Sequence, residues 1–157
     1  MSVIAKRLEA LGIVLPRPGL PIANYVPVVR AGNLAFVSGQ LPLGPDGKIA
    51  NAHIGKLRVN SPVEPARDAA RLAAINVLAQ LQSEFSNLDR VVRVVKLTGY
   101  FAVDGFFDHL PQAMNGASNL MADIFEASGR HARSTVGVAH LPLSALCEVE
   151  GIFELEY

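Results

Sequence analysis

A single cysteine, Cys147, stands among the 157 residues of the chain, and that scarcity excludes two chemistries. No intrachain disulfide can form, and no CxxC-type zinc or redox site exists. Cys147 falls in the apolar alternation Cys147, Val149, Phe153 and Leu155 and reads as a buried structural thiol. An excess of charge of one sign is equally missing. Fourteen basic residues balance fourteen acidic ones, which leaves no electrostatic footprint for nucleic acid, whose binding rests largely on phosphate neutralisation. No run approaches the roughly 18 unbroken apolar residues of a membrane span, and the opening "MSVIAKRLEALGI" lacks the apolar stretch of a secretion signal. A cytoplasmic protein with no membrane partner is expected, and the charge balance disfavours nucleic acid as its ligand.

What is present suits one core. The length is enough for one domain over 1–157 and too short for two ordinary ones. Ile4, Leu8 and Leu11 after Ser2 predict a short leading helix ending near Gly12, within an extension over about 1–14. The proline-rich stretch from Leu15 to Val26 should be extended and irregular. "VPVVRAGNLAFVSGQLP" reads as a hairpin turning at Ala31, Gly32 and Asn33, followed by a Gly-rich connection with a turn at Pro45, Asp46 and Gly47. Pro65 to Phe85 is the plainest helix, with Ala70, Ala74, Val77, Leu81 and Phe85 on one stripe. A long strand is expected over Arg90–Val103, a second helix between His109 and Ala127, and strands over Ser134–Leu141 and Leu146–Tyr157. The order predicts an α+β fold with helices on one face of a single sheet. Along the last strand Glu148, Glu150, Glu154 and Glu156 alternate with apolar residues, so one face is acidic. The glutamates, and the small residues Thr135, Gly137 and Ala139, are expected on the face away from the helices, inviting self-association.

One residue is out of place in this pattern. Arg133 heads an apolar strand, and a guanidinium cannot be neutralised in a protein. It needs an acidic partner such as Glu148 or Glu150, an anionic ligand, or a place at a rim. His131 and His140 nearby suggest a base or metal site, but without a partner at ligand spacing they read as structural or surface residues.

Five pieces in order, "NY" at Asn24 and Tyr25, "VSGQLP" at Val37–Pro42, "RVVRVVKLTGYFAV", "ARSTVGVAHLP" at Ala132–Pro142 and "CEVEGIFE" at Cys147–Glu154, resemble the RidA/YjgF family of enamine/imine deaminases, also described as endoribonuclease L-PSP-like. The leading helix and the "NGAS…GRHARS" wording are closer to a longer-chain branch. The resemblance implies a chorismate-mutase-like fold, a mixed sheet backed by two helices with its final strand antiparallel between the "SGQ" strand and the long strand. It also implies a homotrimer, with no metal and no organic cofactor.

By the same resemblance Arg133 holds a substrate carboxylate, Glu148 lies near the reacting carbon, Tyr25 and Ser38 supply pocket hydroxyls, and Gly39 brings its backbone close to the ligand. The pocket asparagine falls at Asn115 or Asn119, with Asn115 preferred. The implied reaction is hydrolytic deamination of enamine/2-imino acids to 2-oxo acids and ammonia. Arginine's planar fork suits a carboxylate, and a glutamate suits activation of water. A carboxylate-binding trimer without turnover is the alternative, and ribonuclease a lesser one. If the implied sheet holds, Ser38 and Arg133 sit at opposite ends of parallel strands, about 20 Å apart at roughly 3.3 Å per residue. The site is therefore expected between subunits.

Overall fold

The computed structural model describes residues 2–18 and 23–157. The proline-rich stretch thus lies partly outside the described residues. Helix α1, Val3–Ala10, starts where the Ser2 hydroxyl accepts from the Ala5 N–H. It stops at Gly12, whose φ of +67° closes the helix while Gly12 and Ile13 donate to the carbonyls of Glu9 and Leu8.

Strands β1, Val28–Ala31, and β2, Leu34–Gln40, form the expected hairpin, turning through Gly32 at φ +63°. Then follow α2, Glu64–Phe85, β3, Val91–Ala102, α3, Leu110–Phe125, β4, Ala132–Val138, and β5, Cys147–Leu155. The five strands lie in the order β1-β2-β5-β3-β4. Strand β5 is antiparallel to both β2 and β3, whereas β4 runs parallel to β3 at the edge. The α+β fold and the central position of the last strand are therefore as the sequence reading expects.

Two details differ. Strand β4 begins at Ala132 and ends at Val138, so Arg133 sits inside it, paired with Leu97, and not ahead of it. Leu141 has left the strand to pack with Ala102 and Ala145 in a small separate cluster. The chain then turns through Leu143 and Ser144, both at positive φ.

The helices cover one face because the strands alternate. Cys147, Val149, Gly151, Phe153 and Leu155 are buried beneath them, while Glu148, Glu150, Ile152 and Glu154 point to the open face. Helix α2 is buried through its middle turns, Asn76 and Gln80 included. The Asn76 amide donates to the carbonyls of Leu41 and Leu43, and Gln80 donates to Gln40, so the helix also pins the connection after β2. Gly116 of α3 lies against the Arg67 carbonyl of α2, where any Cβ would collide. That close crossing fixes α3 above β3 and β4.

The register also settles which face the small residues share. Arg133, Thr135 and Gly137 pair with Leu97, Gly99 and Phe101 of β3, and in-register neighbours point the same way. Leu97 and Phe101 are fully buried under the helices. The expectation that Thr135 and Gly137 join the glutamates on the open face is therefore corrected: they lie on the helix side.

Candidate functional site

Arg133 reaches α3. Its Nη1 donates to Asn115 Oδ1 at 2.7 Å and to Ser118 Oγ at 3.1 Å, and its Nη2 donates to the Pro111 carbonyl at 3.0 Å. Asn115 and Ser118 stand three positions apart and share one helical face, which is why a single guanidinium meets both. Asn119, the alternative asparagine, is exposed and makes no described bond to Arg133. A guanidinium carries five N–H donors. Three are taken, so Nε–H and one Nη2–H remain without an acceptor among the described residues. No carboxylate of the described residues pairs with Arg133, so neither Glu148 nor Glu150 of its own chain neutralises it. A shallow cavity of about 300 Å³ opens beside it, bordered by Ser118, Gly129, Arg130 and His131.

Glu148 lies elsewhere, on the open face opposite Tyr100 of β3. Strand β2 is irregular between Val37 and Gln40, so Ser38 and Gly39 bulge next to it. Gly39 has no side chain for a reason: a Cβ there would strike the Glu148 carboxylate. The Ser38 hydroxyl donates to the Pro27 carbonyl at 3.2 Å, and Tyr25, two residues before Pro27, is exposed. Burial first, and then the like charge of Glu150, push Glu148 above the usual carboxylate range. The other glutamates of β5 are engaged. Glu150 accepts from the Tyr100 hydroxyl at 3.1 Å, and Glu154 accepts from Asn33 at 3.1 Å and faces Arg93 at 3.7 Å. Glu148 has no such partner among the described residues.

The structure thus gathers Ser38, Gly39 and Glu148 on one side of the sheet and Arg133 with Asn115 on the other. Arg133 pairs with Leu97 and Glu148 with Tyr100, so two strand-to-strand steps and three residues of β3 also separate them.

The family description YjgF/chorismate mutase-like, putative endoribonuclease, matches residues 5–155. The chain is a member of the YjgF/RidA family. It is 40% identical over 153 residues to "Protein TCP17" of Trypanosoma cruzi, covering 97% of this chain and 94% of that protein. It is 33% identical over 137 residues to the 2-iminobutanoate/2-iminopropanoate deaminase of Dermatophagoides farinae, covering 87% and 89% respectively. The crystal structure of protein Atu1372 from Agrobacterium tumefaciens, a protein of unknown function, superposes with a TM-score of 0.88 at 42% identity over 98% of this chain and 93% of that one.

Within this YjgF/RidA fold, sequence reasoning missed Ser118, His131, the Pro111 carbonyl and the Tyr100–Glu150 pair as parts of the two polar groups. The spacing of Asn115 and Ser118 is a usable signal for the first. The others depend on which strands become neighbours. Cys147 is buried, and burial followed by the charge of Glu148 pushes its thiol far up, in keeping with an inert structural role. Among the described residues no helix is long and apolar enough to cross a membrane.

Proposed function

We propose that this protein hydrolyses enamine/2-imino acids to 2-oxo acids and ammonia, at sites formed between copies of the chain in a homotrimer. One observation carries the reading: among the described residues Arg133 is fixed by three protein acceptors, has no acidic partner, and keeps two donors without an acceptor. The Nε–H edge of a guanidinium, with the Nη2–H on the same side, lies in one plane and matches the two oxygens of a carboxylate. A residue held by a structural ion pair would not keep them available.

The partner groups come from another copy because Arg133 and Glu148 of one chain face opposite ways. The open face also suits burial. Phe36 is exposed there beside Ser38, Lys96, Thr98, Glu150 and Ile152, around a cavity of about 300 Å³. An apolar and polar mixture of that kind is well used when a second sheet closes over it.

With a 2-imino acid held by its carboxylate at Arg133, Glu148 of the neighbouring copy accepts a proton from water as the oxygen bonds to the imine carbon. That proton passes to nitrogen to complete the carbinolamine; the same carboxylate then carries the carbinolamine hydroxyl proton to nitrogen as the carbon–oxygen double bond forms and the carbon–nitrogen bond breaks, so that ammonia leaves behind a 2-oxo acid. The raised affinity of Glu148 for protons makes it a better base than an ordinary surface carboxylate. In this reading the exposed Tyr25 hydroxyl donates to the departing nitrogen, and Ser38 does so only by turning away from the Pro27 carbonyl to which it donates.

The test couples the protein to an amino-acid oxidase that generates imines of varied side chain and follows ammonia release. Accelerated release that is lost in Arg133→Lys, with the trimer retained by light scattering, supports the reading. Saturable 2-oxo acid binding without acceleration leaves a carboxylate-binding trimer. A monomer at micromolar concentration removes the shared site.

A further inference from the structure

Behind Arg133 runs a polar chain that carboxylate capture does not use. His131 Nδ1 lies 2.6 Å from the Gly129 carbonyl, and its Nε2 lies 2.9 Å from Ser118 Oγ. The same hydroxyl accepts from Arg133 Nη1 at 3.1 Å. With the imidazole neutral, the bookkeeping of donors fixes every proton. A carbonyl only accepts, so Nδ1 carries the imidazole hydrogen; a guanidinium only donates, so Ser118 Oγ accepts from it. The one proton of Ser118 is then directed to Nε2, which must be an unprotonated acceptor.

Both ends of this chain are anchored. Ser118 belongs to α3. Gly129 is buried against the Met121 carbonyl of the same helix, so close that a Cβ would collide. His131 is therefore held where its ring sets the rotation of the Ser118 hydroxyl, and a lone pair of that hydroxyl faces Nη1. Burial, opposed in part by the Gly129 carbonyl and aided by the charge of Arg133, lowers the proton affinity of His131 and keeps the ring in the accepting form.

We propose that His131, acting through Ser118, is a positioning residue for the carboxylate-binding fork of Arg133. Asn115 alone fixes one direction of Nη1; the hydroxyl fixes the other, and with it the plane in which Nε–H and the free Nη2–H lie. The proposal rests on the carboxylate-capture reading above. It separates His131 from a residue that only fastens the segment before β4 to α3, since fastening does not depend on which ring nitrogen accepts.

Binding of 2-oxobutanoate, measured by calorimetry, tests it in the full-length protein, with kcat and KM for imine hydrolysis alongside. His131→Leu and Ser118→Ala should each weaken binding by about three- to tenfold, and the double variant should be no weaker than the poorer single one, because both remove the same link. His131→Gln brings an amide oxygen to the position of Nε2 and should restore affinity to within about twofold, though it forfeits the Gly129 bond. In turnover the loss should appear in KM with kcat nearly unchanged. Equal affinity across the three single variants overturns the proposal, as does a Gln variant no better than Leu, or additive losses in the double variant. A wild-type protein that binds no 2-oxobutanoate sinks the underlying reading and this proposal with it.

Discussion

The two polar groups of this molecule are built in opposite ways. On the helix side of the edge strand, Arg133 is surrounded by acceptors from α3 and by the Ser118–His131 chain, so its geometry is set before any ligand arrives. On the open face, Glu148 lies over Gly39 with no described hydrogen-bond partner and with Glu150 beside it. Among the described residues, one group is positioned and has no counter-charge, and the other is charged at a cost and has no donor. Each supplies what its counterpart wants, and the sheet keeps them apart within one chain.

Breaking each half separately gives the largest expected effect. Arg133→Ala and Glu148→Ala should each be nearly inactive in ammonia release. Mixed in equal amounts under conditions of subunit exchange, they should recover about a quarter of wild-type activity, because random pairing unites an intact arginine with an intact glutamate in that fraction of sites. No recovery after demonstrated exchange would place both groups of a working site in the same chain. Arg133→Lys, which keeps charge and loses the fork, should cost at least about tenfold, or about 1.4 kcal/mol of transition-state stabilisation.

Gly39→Ala attacks only the Glu148 half. A methyl group there displaces the carboxylate, which is the end of a flexible side chain, so stability should fall little while kcat falls on the order of tenfold or more. Affinity for 2-oxobutanoate, read at Arg133, should move much less. Equal losses in kcat and affinity would show that the halves are not independent.

The acid–base contrast can be sharpened by pH. Glu148 binds protons more tightly in the folded state, so its contribution to stability is full below the usual carboxylate range and is lost as pH rises through its raised value. Glu148→Gln should therefore melt higher than wild type at neutral pH, with the difference vanishing in acid, while turnover is lost. Glu150→Gln removes the like charge and should shift the acid limb of kcat/KM to lower pH. A limb that stays put or moves upward would remove Glu148 as its source.

Much of this arrangement was legible in the sequence and some was not, for physical reasons. Period-two alternation in β5 reports which residues that strand buries, as expected; in α2 the predicted stripe from Ala70 to Leu81 is buried, but the helix is enclosed on all sides from Ala73 to Leu81, Asn76 and Gln80 included, because the connection after β2 covers its other face. Arg133 was identifiable because the "ARSTVGVAHLP" motif of the family likeness includes it, whereas Asn115 lies outside the five motifs and stood open against Asn119. The side of the sheet that Thr135 and Gly137 face was not, since small residues are equally compatible with packing under a helix and with exposure; only the pairing of β4 with β3 decides it. Ser118 was missed, and His131 was read as a structural or surface residue, because their contact arises where the segment after α3 folds back on that helix. Glu148 differs from Glu154 only by its neighbours across the strands, Gly39 in one case and Asn33 with Arg93 in the other.

The smallest expected effect tests whether α1 belongs to one half alone. Asp89, just before β3, accepts from the N–H groups of Val3 and Ile4 at 2.9 and 2.8 Å. Arg7 donates to the Ile124 carbonyl at 2.8 Å and pairs with Glu126 at 2.8 Å, at the far end of α3. The helix is thus a strap between the start of β3 and the end of the helix that holds Arg133. At eight residues it is too short to persist unsupported. Desolvation would raise the proton affinity of Asp89, but the backbone donors at Ile4 and Val3 outweigh it and hold the carboxyl below its usual value. Its stabilisation is therefore present above the ordinary carboxylate range and fades as pH falls through the lowered one. Asp89→Ala should cost about 1 kcal/mol, a shift in Tm of roughly 2–4 °C for a chain of this size. It should also increase hydrogen exchange over Val3–Ala10. Because the strap ends on α3, affinity for 2-oxobutanoate should weaken by less than about twofold, while the pH profile governed by Glu148 stays fixed. A displaced Glu148 profile would show that α1 supports the sheet as a whole and not the arginine half.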